Sequence, residues 1–267
     1  MIRAFRILAT IPLALAFYAL LLFLGTMSLG WSLIAMVLHP VLPERQRLRV
    51  GRAGISWGYR LFWSVASACR MMRIDARCLD ALRDEPGVIF VANHPTMLDA
   101  MLLVAHLPKS ACIMKASLMK NIFLGAGARL ARYIRNDSAR VMVRLAVDDL
   151  RDGGQLVIFP EGTRTVKAPL NEFLPGVTLI AKLAQAPIQT VFIDTDSPYL
   201  GKGWPLWRVP PLPVVFKLRL GQRFSPRQDS AVLLTQLDQY FRHHVEQRQR
   251  DAIAPDECQT SPLHTLF

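Results

Sequence analysis

An uncharged apolar run near the N-terminus restricts this chain more than any other feature. From Ile7 to Leu38 there is no Asp, Glu, Lys or Arg, and Leu, Ile, Ala, Phe and Val dominate. A helix needs about 20 such residues to cross a bilayer, so the run exceeds one perpendicular crossing. Arg3 and Arg6 precede it, as in a secretory signal, but the apolar stretch is too long and no A-x-A cleavage site follows. We therefore expect an uncleaved membrane anchor.

Two topologies are compatible with this run. Pro12, Gly25 and Gly30 can each bend it into a re-entrant hairpin, and a single tilted crossing is equally compatible. Arginines flank both ends of the run, with the larger cluster after it. In either case we expect the rest of the chain to face the cytoplasm from the inner (cytoplasmic) membrane.

The remaining length fits one domain. A second apolar stretch, Ala53 to Cys69, is rich in aromatic residues and suits either the headgroup region of a membrane or an ordinary core helix. We therefore assign residues 1–70 to a membrane-anchoring or interfacial helical segment and residues 71–267 to a single domain of ordinary size.

Charge and cysteine content narrow the possible partners. The net charge of +12, from 32 basic and 20 acidic residues, suits an anionic lipid surface or nucleic acid. The apolar anchor favours membrane lipids, and neither zinc-finger spacing nor an RNP-like motif supports nucleic acid. The four cysteines are widely spaced without C-x-x-C, which predicts reduced thiols and neither a zinc site nor a disulfide scaffold.

Alternation of strand-like and helix-like segments predicts an α/β fold, a mostly parallel sheet covered by helices. The predicted strands are Gly87–Ala92, Ala111–Met114, Gln155–Phe159, Ile188–Ile193 and Val214–Leu220. The predicted helices are Thr96–His106, Asn121–Arg132, Ser138–Arg151, Val177–Gln185 and Ser230–Arg248.

One segment, Ser197 to Pro213, departs from this alternation. It combines five prolines with three aromatic residues, Tyr199, Trp204 and Trp207. Such a rigid loop suits the membrane surface or an acyl-chain entrance, and ordinary packing of a long connection is an equal alternative.

A histidine and an aspartate five positions apart follow the first of these strands. His94 is expected at the strand's C-terminal end, where open α/β sheets place their ligand crevice. Asp99 can accept a hydrogen bond from its ring and fix the tautomer, so that His94 can act as a general base. Thr96 and Asp99 also fit a helix capping box, in which the carboxylate only satisfies backbone amides.

A second block, F-P-E-G-T-R from Phe159 to Arg164, follows the strand that begins at Gln155. It is expected at the same edge of the sheet as His94. Arg164 is a natural phosphate ligand, because a planar guanidinium can donate two parallel hydrogen bonds.

The ordered pair of blocks resembles the glycerophospholipid acyltransferase family (1-acyl-sn-glycerol-3-phosphate acyltransferase-like), over roughly residues 85 to 195. The family carries an H-x-x-x-x-D motif followed by F-P-E-G-T-R. The resemblance implies that Glu161 and Gly162 shape acceptor binding, to which Thr163 would add a hydroxyl donor. A structural acceptor role is the alternative for Glu161.

Two further positions carry the resemblance less well. Lys115 falls in the family's lysine-containing stretch, and Arg135 lies where the family has an F-I-D-R-like motif, although Arg-Asn replaces Asp-Arg here. Both are candidate acceptor-binding residues, with simple surface exposure as the alternative. The departure at Arg135 leaves an acceptor other than lysophosphatidate possible.

The resemblance implies a membrane-bound O-acyltransferase. It would move a fatty acyl group from acyl-CoA or acyl-ACP, the acyl carrier protein thioester, to the free hydroxyl of a lysophospholipid, by default lysophosphatidate giving phosphatidate. No metal or redox cofactor is expected, since a thioester carbonyl is already activated. The alternatives are an acyltransferase or transacylase for another lysolipid, such as an aminolipid or glycolipid precursor, and a non-catalytic membrane-anchored scaffold. A hydrolase is disfavoured because G-x-S-x-G is absent from the sequence.

Overall fold

The computed structural model describes residues 2–167, 169–205 and 208–253. Its first element is one uninterrupted helix, α1 (Ile2–Val41), followed by α2 (Glu44–Ala68). The hairpin alternative for the apolar run is therefore wrong, since the helix continues through Pro12, Gly25 and Gly30. A continuous helix satisfies its backbone groups internally, as an apolar solvent requires. In the described part of the chain, Ile11–Val41 is the one stretch long and apolar enough to cross a membrane.

Seven strands form a single sheet, which confirms the predicted α/β class. Its order is β1-β7-β6-β2-β5-β3-β4, and every pair is parallel except the antiparallel pair β6–β7. The strands are β1 (Met72–Asp75), β2 (Ile89–Ala92), β3 (Ser110–Met114), β4 (Ile134–Arg135), β5 (Gln155–Ile158), β6 (Ile188–Thr195) and β7 (Val214–Phe224).

Five more α-helices and two short 3-10 helices connect the strands. They are α3 (Asp99–His106), α4 (Gly125–Leu130), α5 (Ala139–Arg151), α6 (Gly176–Ala184) and α7 (Ser230–Ile253), with 3-10 turns at Arg77–Leu82 and Ala116–Lys120. The predicted helix from Asn121 is much shorter than expected. The Asn121 side-chain oxygen accepts the amides of Phe123 and Leu124, so a turn replaces the first helical residues.

Alternate strand residues feed two apolar layers. On one face of the sheet, Phe90 belongs to the same buried cluster as Phe17 of α1 and Phe62 of α2. On the other face, Ile89 and Val91 are buried in a cluster with residues of α5, α6 and α7. Phe62, Trp63 and Ala66 are buried while Trp57 is 65% exposed. The stretch from Ala53 to Cys69 is therefore a core helix with one exposed aromatic ring.

A tryptophan of α1 fits into a notch between α2 and α4. A Cβ added to Gly54 of α2 would overlap the Trp31 ring, and one added to Gly127 of α4 would lie 2.7 Å from Trp31 Nε1. Both positions must therefore lack a side chain for the indole to fit.

Arg52 connects several elements behind the sheet. Its side chain is 4% exposed and donates to the carbonyls of Ala131 (3.2 Å) and Lys109 (2.7 Å) and to Asp149 Oδ1 (2.6 Å). One guanidinium thus ties α2 to the end of α4, to the turn before β3 and to α5.

The proline-rich segment from Ser197 packs against the anchor helix. Tyr199 is fully buried, and its ring meets Phe17 edge to face at a centroid distance of 5.4 Å. The packing interpretation thus holds for Tyr199, while Trp207 lies outside the described residues. Among the cysteines, Cys69, Cys78 and Cys112 carry free thiols, as predicted, and Cys258 also lies outside the described part of the chain.

Candidate active site

The two sequence blocks meet at one edge of the sheet, as predicted. Strands β2 and β5 are parallel neighbours in which Phe90 pairs with Val157, and both blocks follow their C-terminal ends. The His94 ring stacks on the Phe159 ring, with centroids 4.0 Å apart and planes 18° apart. The stacked phenyl ring fixes one face of the imidazole.

Asp99 contacts His94 and also performs the capping role that was its alternative. Its Oδ2 lies 2.8 Å from His94 Nδ1 and accepts the Thr96 amide at 2.8 Å, while Oδ1 accepts the Thr96 hydroxyl at 2.6 Å. A carboxylate acceptor assigns the proton to Nδ1 and leaves the Nε2 lone pair of His94 available. Helix α3 begins at Asp99 instead of Thr96, because these bonds hold residues 96–98 in a turn.

The Asp99 carboxyl is fully buried. Burial raises its pKa, and the hydrogen bonds from His94 and Thr96 oppose that rise. The charged form is therefore held in place by its donors at a cost in desolvation.

Glu161 holds the His94 backbone. Its buried carboxylate accepts the His94 amide at 3.0 Å, the Thr165 hydroxyl at 2.8 Å and the Asn171 amide at 3.0 Å. The Thr165 amide in turn donates to the His94 carbonyl at 2.8 Å. These contacts match the structural alternative for Glu161, while its predicted part in acceptor binding stays a prediction.

Sequence reasoning missed Thr165 and Asn171. The Asn171 side chain accepts the amides of Val166 and Lys167 and donates to the Arg164 carbonyl, which shapes the loop after the motif. Its only signal in the sequence is an asparagine in a turn-rich stretch, a common occurrence.

Arg164 is oriented by the proline-rich segment. Its Nη1 donates to the carbonyls of Leu200 (2.8 Å) and Gly201 (3.1 Å), and the Leu200 carbonyl also accepts the Met97 amide at 3.1 Å. The opposite edge of the guanidinium, Nε and Nη2, keeps the paired geometry that suits a phosphate. The segment that begins at Ser197 is thus part of the site.

The other predicted ligands differ in their surroundings. Gly162 has a positive φ of 66°, and a Cβ there would lie 2.6 Å from Leu174 Cδ1, so both conformation and space favour glycine. Thr163 is exposed beside it.

Lys115 and Arg135 lie at the same sheet edge but further along it. Lys115 directly follows β3, Arg135 ends β4, and both side chains are exposed. With neighbouring strands about 4.8 Å apart, they lie about 10 and 14 Å from the end of β2. The long Lys115 side chain can reach towards His94, whereas Arg135 lies 3.6 Å from Asp137. Within the described residues, no group of three or more His, Cys, Asp or Glu could hold a metal ion.

The comparisons with known proteins agree with this geometry. A family model described as "Acyltransferase" matches residues 73–194. A 1-acyl-sn-glycerol-3-phosphate acyltransferase of Pseudomonas aeruginosa is 23% identical, over 68% of this chain and 72% of its own length. A lyso-ornithine lipid O-acyltransferase of the same organism is 29% identical, over 67% of this chain and 71% of its own.

The fold is similar to that of a solved structure. The 1-acyl-sn-glycerophosphate acyltransferase PlsC of Thermotoga maritima superposes with a TM-score of 0.66 at 20% identity, and the match covers 91% of this chain and 98% of that one. This protein is an acyltransferase, so the scaffold alternative is set aside. It belongs to the glycerophospholipid acyltransferase family.

Proposed function

We propose that this protein transfers a fatty acyl group from a thioester donor, acyl-CoA or acyl-ACP, to the free hydroxyl of a lysophospholipid. Lysophosphatidate is the first candidate acceptor, giving phosphatidate. The observation that carries the proposal is the His94–Asp99 pair at the end of β2, with Arg164 oriented beside it. The site faces the cytoplasm, where both thioester carriers occur.

In the proposed reaction His94 acts as a general base. The acceptor hydroxyl oxygen attacks the thioester carbonyl carbon while His94 Nε2 takes its proton. The carbon–sulfur bond breaks, the thiolate leaves, and the proton passes from His94 to the departing sulfur. Asp99 stabilises the imidazolium and keeps its orientation. Protein groups and an activated carbonyl suffice for this sequence, so it needs neither metal nor redox cofactor.

Arg164 binds the acceptor phosphate in this proposal, with Lys115 and then Arg135 as further cationic ligands. Gly162 and Thr163 border the acceptor, and Glu161 acts by holding His94 and Thr165.

A second acceptor class has specific support. The Arg135-Asn136 departure changes the charge order at the outer end of the sheet, and a relative of similar coverage is named for lyso-ornithine lipid. An aminolipid acceptor is therefore the alternative to lysophosphatidate.

The first test is acyl transfer by the purified full chain in mixed micelles. Lysophosphatidate, lyso-ornithine lipid and lysophosphatidylcholine are each offered with acyl-CoA and with acyl-ACP. We expect product from lysophosphatidate and a loss of about 10²–10⁴-fold in His94→Ala, the usual contribution of a general base. Product from lyso-ornithine lipid alone would select the alternative acceptor. Undiminished turnover by folded His94→Ala would contradict the mechanism.

Arg164→Lys tests the phosphate contact. Lysine keeps the charge but loses the paired donors, so KM for lysophosphatidate should rise while KM for the acyl donor stays unchanged. The Nη1 bonds to Leu200 and Gly201 are lost as well, so thermal unfolding is measured in parallel. Equal acceptor KM values in a folded variant would move the phosphate site elsewhere.

A further inference from the structure

A short segment beside α1 exposes three large apolar side chains. The 3-10 turn Ala116–Lys120 and the residues after it present Ile122 (67% exposed), Phe123 (39%) and Leu118 (37%). Below we call residues 116–123 the apolar turn. Adjacent exposed apolar side chains of this size mark an interaction surface more often than single exposed ones.

The apolar turn is held in this conformation by specific bonds. Asn121 Oδ1 accepts the Phe123 amide at 2.9 Å and the Leu124 amide at 3.2 Å. Arg129 Nη1 donates to the Met119 carbonyl at 2.6 Å, and a Cβ on Gly125 would overlap the backbone at Met119. The outward direction of the apolar side chains is thus built into the fold.

The apolar turn is continuous with the exposed face of α1. The Ser32 hydroxyl of α1 donates to the Phe123 carbonyl at 2.8 Å. Leu29 and Met36, three residues before and four after Ser32, lie on the same side of the helix and are exposed. Because that helix face is apolar enough for a bilayer, the solvent that covers it reaches the apolar turn.

Charge around the apolar turn selects the kind of surface. No Asp or Glu occurs between Met114 and Asn136, and Lys115, Lys120 and Arg129 are exposed. Lysines beside apolar side chains suit the boundary of an anionic bilayer, where the apolar groups enter the acyl region and the ammonium groups meet lipid headgroups.

We propose that the apolar turn is a second membrane contact, separate from α1, that inserts Leu118, Ile122 and Phe123 into the headgroup boundary of an anionic bilayer. Two contacts fix the rotation of the domain about the α1 axis, which one helix alone leaves free. The proposal does not depend on acyl transfer.

The test measures the depth of residue 122 in vesicles. A full-length background with Cys69→Ser, Cys78→Ser and Cys258→Ser leaves only the buried Cys112. Ile122→Cys is labelled there with an environment-sensitive fluorophore, and Gln236→Cys on α7, on the opposite side of the sheet, is the matched control. Quenching by aqueous iodide and by headgroup-labelled lipid is compared in phosphatidylglycerol-containing and phosphatidylcholine vesicles.

We expect the label at 122 to emit further to the blue than the control, to be quenched several-fold less by iodide, and to be quenched by labelled lipid. The lipid effect should be larger in anionic vesicles, and Lys120→Gln should reduce that difference. Iodide quenching at 122 equal to that at 236 would overturn the proposal. Protection from iodide without lipid quenching would overturn it too, because a second protein copy would then cover the apolar turn. Neither reading involves turnover, so failure here is distinct from failure of the proposed function.

Discussion

At the scale of single residues, Asp99 combines two roles that sequence patterns treat as alternatives. One oxygen accepts both the His94 ring and the Thr96 amide, and the other accepts the Thr96 hydroxyl. A capping box five residues after a strand and a base–carboxylate pair have the same sequence here. Only the turn that brings Nδ1 within 2.8 Å of the carboxylate shows that both are present.

Asp99→Asn separates catalytic orientation from stability. Because burial raises the Asp99 pKa, the folded state binds the carboxyl proton more strongly than the unfolded state, and the stability associated with this group falls as pH rises above its unfolded pKa. The neutral amide removes that cost, so we expect a thermal midpoint at neutral pH no lower than that of the parent. The acyl-transfer rate should fall by about 10²-fold or more, since the orienting charge is lost. An unchanged rate would show that Asp99 is a cap alone.

At the scale of elements, the fit of α1 depends on two absent side chains. The notch formed by Gly54 and Gly127 accepts Trp31, while Gly58 on the same helix has its nearest neighbours, the side-chain atoms of Met27, at 3.8 Å. A sequence shows glycines in a helix but not which of them faces an indole, so this contact could not be predicted from the chain alone.

Gly54→Ala should destabilise the protein by about 1–3 kcal/mol, because the added methyl overlaps Trp31 in a packed interface. Gly58→Ala is the matched control, and there the better helix propensity of alanine should leave stability equal or slightly higher. Thermal midpoints in one detergent give the comparison. Equal midpoints for both variants would mean that α1 shifts freely to accommodate the methyl group.

At the scale of the whole molecule, the sequence predicted the sheet, its mostly parallel order and the edge that carries the site. Strong periodicity and β-α alternation are local signals, and five strands and five helices follow from them. The strands at both edges of the sheet, β1 and β4, were missed, because four and two residues are too few for a periodic pattern. The roles of Thr165, Asn171 and Leu200 depend on contacts between distant segments, for which a single sequence has no signal.

Arg52 tests how far distant elements depend on one another. Arg52→Met removes the donor to Asp149 and to two carbonyls, and loss of one partner of a buried pair typically costs about 3–5 kcal/mol. Burial already raises the Asp149 pKa, so the loss should grow as pH rises and the uncompensated carboxylate ionises. Arg77→Ala, at an exposed pair with Asp75, is the control and should change little. Urea unfolding at two pH values checks both, and a pH-independent loss would assign the effect to the carbonyls.

The contact between Phe17 and Tyr199 affects how this enzyme can be handled. Phe17 belongs to the helix that contacts lipid, yet its ring packs on the residue next to the Leu200 carbonyl that orients Arg164. A fragment that begins after α1 would lack part of its own core, and a detergent that competes for the α1 surface would act on the site through the same ring. The choice of amphiphile during purification is therefore a variable of the catalytic measurement itself, to be titrated as carefully as the substrate.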